Sequence, residues 1–230
     1  MKVVIIITLL ISICFMIYTI VKKHKELYLG KGISIDMINS QIHNSIPACN
    51  LAKPILNNEF SISFWMYIDD FYYNNSYNCW KHIFHKGSID SDKNIVKTYE
   101  TWNMVSNSIN EQSVGLWMHP NINNLRVAIN VDSDNTNYNI EYCDVKNVPS
   151  KELFNITILV YKNFMEIYVN GKLDSTTNFT NKVLFSEKSM YFNYGKTYSG
   201  KLYNFLYLPK MILYNDVIDL YNKKPKLKQK

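Results

Sequence analysis

The stretch Phe164-Met165-Glu166-Ile167-Tyr168-Val169-Asn170-Gly171-Lys172-Leu173-Asp174 decides the fold. Apolar and polar side chains alternate up to an Asn-Gly pair, the dipeptide best able to take the positive φ angles of a two-residue hairpin turn. The chain must therefore fold back at Asn170-Gly171. Immediately upstream, Phe154 to Tyr161 is rich in Ile, Thr and Val and also alternates, with Phe154, Ile156, Ile158 and Val160 on one face. Together these segments predict a β-meander.

The same period of two extends outward in both directions. Phe60, Ile62, Phe64, Met66 and Ile68 alternate with Ser61, Ser63, Trp65, Tyr67 and Asp69, so the first set is expected to face the core. His82 to Lys86, Gly115 to His119, Leu125 to Val131, Ser189 to Tyr194 and Lys201 to Leu208 are further strand candidates. Val217 to Tyr221 suggests a short closing helical turn. Strands with no amphipathic helix between them point to an all-β, antiparallel sandwich spanning residues 58–222. Residues 26–57 form a polar lead-in or stalk containing Pro47 and Pro54, with a first edge strand expected near Ser34 to Ile38. Residues 223–230 are a basic tail.

Of the 230 residues, about 200 remain once the apolar start and the tail are set aside, a length suited to one large sandwich. The net charge of +6 is spread as lysines along the chain, and Arg126 is the only arginine. Without clustered arginines or a groove-reading motif, nucleic acid is not an expected partner. The excess of Asn, Lys, Ile and Tyr is read as the mark of an AT-rich genome.

Val3 to Val21 is an uncharged run that, as a helix, reaches about 28 Å, close to the hydrocarbon thickness of a bilayer. A secretory signal has a shorter apolar region ending in a small-residue cleavage site, whereas this run is followed at once by Lys22, Lys23, His24 and Lys25. Residues 1–25 are thus expected to be an uncleaved single-pass anchor with a basic flank, its partner being membrane lipid. The lysine bias favours a cytoplasmic C-terminal domain. Asn-x-Ser/Thr acceptors at Asn74, Asn155 and Asn178 argue the other way, with Asn155 weakest because it falls in a predicted strand.

Cys14 lies within the apolar run, leaving Cys49, Cys79 and Cys143, among which one disulfide is permitted and the pair is open. His82 and His85, three apart, are expected on opposite faces of a strand and so make a poor zinc pair. Asp69 and Asp70 end a strand and are expected to point to opposite sides. Asp90, Asp92, Asp132 and Asp134 are the candidate calcium ligands, though Asp-x-Asp pairs in polar loops are usually solvated, and neither metal nor cofactor is assigned.

Three blocks carry a family resemblance: Glu59-Phe60-Ser61-Ile62-Ser63-Phe64-Trp65-Met66, Trp80-Lys81-His82-Ile83-Phe84-His85-Lys86-Gly87 and Gly115-Leu116-Trp117-Met118-His119-Pro120. With Cys143 to Pro149, the Tyr168 to Lys172 hairpin and Gly200 to Phe205 following in order, the chain resembles the concanavalin A-like lectin/glucanase superfamily in its laminin G-like branch. It is also similar to short laminin G-like proteins of large DNA viruses. The resemblance implies a jelly roll of two antiparallel sheets.

That superfamily includes glycoside hydrolases, whose chemistry needs two carboxyl groups about 5–9 Å apart on facing positions. No such strand-borne pair occurs, so no catalytic residue is assigned. Ser88 to Val114, long and polar, is the loop where binding would sit. Tyr72, Tyr73, Trp102 and Asn103 are the candidate binding residues, because a sugar site needs an exposed aromatic face beside amide partners. The expected function is a membrane-anchored, non-catalytic lectin-like module for a glycan or protein partner, on a viral envelope or host membrane. The alternatives are a structural membrane protein whose sandwich packs against other subunits, and a degenerate glycosidase.

Overall fold

The computed structural model describes residues 11–19, 32–40, 42, 44–71, 78–89, 99–133 and 139–225. The chain divides into two units, Met1–Gly32 and Ile33–Lys230. In the first, residues 11–19 are helical (α1). The rest of the apolar run lies outside the described residues, and no helix among the described residues is long and apolar enough to cross a membrane.

The second unit is a sandwich of two antiparallel six-stranded sheets. Its strands are β1 (Ile33–Asn39), β2 (Asn44–Ile46), β3 (Phe60–Asp70), β4 (Lys81–Gly87), β5 (Gln112–Met118), β6 (Leu125–Val131), β7 (Asn139–Val145), β8 (Leu153–Val160), β9 (Phe164–Val169), β10 (Lys172–Asn178), β11 (Met190–Phe192) and β12 (Ser199–Leu208). The first sheet runs β1-β12-β3-β8-β9-β10 and the second β2-β11-β4-β5-β6-β7. The expected edge strand is β1. Two strands escape the alternation reading: β2 is only three residues long, and β7 is a mostly half-buried edge.

Between the sheets lies the core. Phe60, Ile62, Phe64, Met66 and Ile68 from β3 are fully buried against Leu116, Val127 and Ile129 from the facing sheet. The β9–β10 turn forms as its residues require, with Asn170 at φ 51° and Gly171 at φ 74°. Asn155 on β8 bonds to this turn, and its amide Nδ2 donates to Phe64 O at 2.9 Å. At 1% exposure Asn155 cannot carry a glycan, whereas Asn178 at the end of β10 is exposed. Asn74 lies outside the described residues.

The closing helical turn is α3 (Tyr214–Asn222), laid on the outer face of the first sheet. Trp65 stacks on Tyr221 at 5.6 Å and 17°. A Cβ on Gly171 would lie 3.2 Å from both Ile218 and Tyr221, so the hairpin tip and the helix are in close contact. The polar phase of β3 is therefore covered as well as the apolar one.

Bulges overturn two readings that assumed strict alternation. In the β4–β5 pairing, His82 faces Trp117 and Phe84 faces Leu116, so Ile83 is an extra residue on β4. Ile83 and Phe84 both enter the core, and His82 and His85 end on the same outer face. In the β12–β3 pairing, Ser199 faces Asp70 while Gly200 faces Ile68, which makes Asp69 the extra residue. Asp69 and Asp70 accordingly line one cleft rather than opposite sides.

All four cysteines are free thiols. Cys49 follows β2 and Cys143 is on β7, at opposite edges of the second sheet. Five strand spacings of about 4.8 Å place those edges far beyond disulfide reach.

Candidate functional site

The segment expected to be a binding loop is partly helical. Thr101 caps α2 (Trp102–Ser108), its Oγ1 accepting from Met104 N at 3.3 Å. Val105 and Ile109 are fully buried with Trp80, Tyr99 and Trp117 in a second apolar cluster, on the outer side of the second sheet. The residues are held there by polar contacts. Trp117 Nε1 donates to Gln112 Oε1 at 2.9 Å, Gln112 Nε2 donates to Ile109 O at 2.8 Å, and Asn130 Nδ2 donates to Asn110 O at 2.9 Å.

At the centre of this face is the sole arginine. Arg126 on β6 pairs across the ladder with Asp144 on β7, its Nε and Nη2 donating to the two carboxylate oxygens at 2.7 and 2.8 Å. Its guanidinium carbon lies 3.5 Å from the centre of the Tyr142 ring, 4.5 Å from Trp80 and 4.8 Å from Trp102. Trp102 also contacts Trp80 at 5.1 Å and Tyr142 at 5.6 Å, edge to face. The cation thus locks three rings in position, each stack contributing about 0.5–2 kcal/mol according to its burial.

The outer rim of the cluster is open. Tyr142 is 43% exposed, Asn103 and Met104 are exposed, and Trp102 is half-buried. His119 closes the inner side against Trp80 at 4.9 Å, its Nδ1 accepting from Asn121 N and Ile122 N at 3.1 and 3.3 Å. Burial, with the Arg126 charge adding to it, pushes the His119 pKa below the ordinary histidine value, and Asp144 opposes the shift. Trp102 and Asn103 therefore belong to a partly exposed aromatic platform. Tyr72 and Tyr73 lie outside the described residues. Sequence reasoning missed Arg126, Tyr142 and Asp144, although all three share the outward phase of adjacent strands, a signal readable only once β7 is recognised.

The two strand histidines form a relay. Tyr194 N donates to His82 Nδ1 at 2.9 Å, His82 Nε2 donates to His85 Nδ1 at 2.7 Å, and His85 Nε2 donates to Ser88 O at 2.8 Å. The backbone donor at one end and the backbone acceptor at the other fix this direction, which uses every ring nitrogen and leaves none for a metal. Among the described residues no group of three or more His, Cys, Asp or Glu could hold a metal ion. Asp132 follows β6, its N–H bonded to Lys182 O, while Asp90, Asp92 and Asp134 lie outside the described residues.

No family model matches the sequence, and no curated protein matches it. Solved structures do share its fold. The receptor-binding domain of botulinum neurotoxin D is 14% identical with a TM-score of 0.55, over 83% of this chain and 43% of that one. The binding domain of botulinum neurotoxin DC in complex with rat synaptotagmin II is 16% identical with a TM-score of 0.52, over 78% and 40%. The same domain in complex with SialylT gives 16% and 0.51, over 78% and 39%. This chain spans about two fifths of the length of those chains, and the likeness is one of fold.

Proposed function

We propose that the chain is a non-catalytic, laminin G-like binding module that takes a glycan or protein partner on the platform of Trp102, Tyr142 and Asn103. The observation that carries this reading is a rigid, partly exposed aromatic pair locked by a buried guanidinium. Tyr, Trp and Arg are the side chains that dominate binding surfaces, because they offer large contact area at little entropic cost. The fold is shared with domains solved with a protein and with SialylT, which supports a recognition role without fixing the ligand.

The module is proposed to be held to a viral envelope or host membrane by Val3 to Val21. A glycan array probed with the full-length protein, in a detergent without a sugar headgroup, tests the binding half. Saturable binding that Trp102→Ala abolishes supports it, and silence across the array favours a structural membrane protein instead. Protease protection of the C-terminal tail in sealed vesicles reports the side on which the sandwich lies.

A further inference from the structure

β7 is the outermost strand of the second sheet, and its ladder with β6 runs without a shift from Leu125 opposite Val145 to Val131 opposite Asn139. The aim of its free backbone groups follows from the far side of β6. There Val131 bridges Val183, with Asp132 N donating to Lys182 O at 2.7 Å and Leu184 N to Asn130 O at 2.9 Å. Asn130 and Asp132 thus point N–H and C=O away from β7, and the odd-numbered residues of β6 point theirs toward it. Opposite residues of an antiparallel ladder share this direction, so Asn139, Glu141, Cys143 and Val145 bond to β6. Ile140, Tyr142 and Asp144 present their backbone groups at the free edge. No backbone bond among the described residues takes these up from outside.

Strand edges are normally guarded by a charge, a proline, a bulge or brevity. β2 is three residues long, β10 carries Lys172 and a bulge at Asp174, and β1 carries an exposed carboxylate at Asp36. β7 holds no lysine or proline, and its two carboxylates are engaged elsewhere. Glu141 accepts from Thr180 N at 3.1 Å, and Asp144 accepts from Arg126. This edge is left able to pair.

Only another extended chain offers N–H and C=O groups at the spacing of Ile140, Tyr142 and Asp144, so the ligand class is a polypeptide strand. A second copy of this chain fits poorly, because two-fold pairing about Tyr142 sets Ile140 against Asp144. An antiparallel peptide instead places alternate side chains on the outer face, opposite Asp144, Tyr142 and Ile140 in that order. The Asp144 carboxylate keeps lone pairs beyond those used by Arg126 and favours a basic side chain, whereas Tyr142 and Ile140 favour apolar or aromatic ones. We infer that β7 is a strand-addition site for an extended peptide of the pattern basic-x-apolar-x-apolar. The inference rests on the proposed platform in that Tyr142 serves both, and it makes the partner a protein.

The test titrates the full-length protein, in a detergent without a sugar headgroup, with capped peptides Ser-Lys-Thr-Φ-Thr-Φ-Ser in which Φ is Ile, Val, Tyr, Phe or Trp. At least one is expected to bind in calorimetry with a Kd of about 100 μM or tighter, and to slow amide exchange at Ile140, Tyr142 and Asp144. N-methylation of its Lys and Φ residues keeps every side chain but removes the donors aimed at β7, and should weaken binding at least about tenfold. Ile140→Pro, which removes an edge donor and no bond to β6, should do the same. The inference is overturned if no peptide binds at about 1 mM, if the N-methylated peptides bind as well as their parents, or if the three amides stay unprotected. Protection of those amides without peptide, rising with protein concentration, would assign the edge to a second copy and also overturn it. Peptide binding that survives Trp102→Ala supports the edge and counts against the platform. Sugar binding lost in Trp102→Ala, with no peptide binding, supports the platform and overturns the edge.

Discussion

Replacing Arg126 tests the energetic centre of the platform. Its side chain is 11% exposed and that of Asp144 is 29% exposed, so Arg126→Ala leaves a carboxylate stranded in a mostly dry position. Removing one partner of a buried pair costs about 3–5 kcal/mol, and the water that reaches Asp144 trims this to about 2–3. The contacts to Tyr142, Trp80 and Trp102 disappear with it, adding about 1–2 kcal/mol in sum because one cation serves all three rings. A loss of about 3–5 kcal/mol is therefore expected. Arg126→Lys keeps the charge but gives up the two-pronged bond and the planar stack, for an expected loss of about 1–2 kcal/mol. Denaturant unfolding followed by tryptophan fluorescence reads both, since Trp80, Trp102 and Trp117 report this cluster directly. Asp144→Asn completes a double-mutant cycle, in which a coupling of about 1–3 kcal/mol is expected. If Arg126→Ala costs under about 1 kcal/mol, or Arg126→Lys matches the wild type, the guanidinium does not hold the rings in place.

Three further outcomes follow from the packing. Tyr198 is fully buried, its hydroxyl has no hydrogen-bond partner among the described residues, and burial drives its pKa far above the usual phenol range; Tyr198→Phe should stabilise the sandwich by about 1 kcal/mol, measured as a higher denaturant midpoint with unchanged slope. A Cβ at Gly87 would lie 1.7 Å from Glu111 O, so Gly87→Ala should cost on the order of 3 kcal/mol or more, and a variant that melts with the wild type would refute the tight β4–β5 junction. The folded state holds the His119 pKa below 6.5, so it binds fewer protons than the unfolded chain; stability should fall as pH drops below about 6.5, and His119→Asn, which keeps an acceptor near Nδ1, should flatten that part of the profile in denaturation measured at stepped pH.

Much of the frame was legible locally. Alternation in β3 and β8 named the core-facing side chains, and Asn170-Gly171 named the turn, because side-chain phase and positive φ are properties of a few consecutive residues. The platform was legible only through Trp102 and Asn103. Its other members come from strands whose neighbours are fixed by pairing, and β7 carries too few buried residues to announce itself. Asn155 shows the same limit: its acceptor motif is intact, but the facing strand and the hairpin tip take up its amide.

Sequence by itself determined that the second unit is a sandwich of antiparallel strands, which residues fill its middle, and where the β9–β10 hairpin reverses. Tertiary structure alone decided which polar residues meet. One extra residue at Ile83 put His82 and His85 on one face, and another at Asp69 turned two carboxylates into one cleft. The physical reason is that a bulge is a property of two strands in register. Its presence depends on what the partner strand offers opposite, and no run of residues on one strand contains that information.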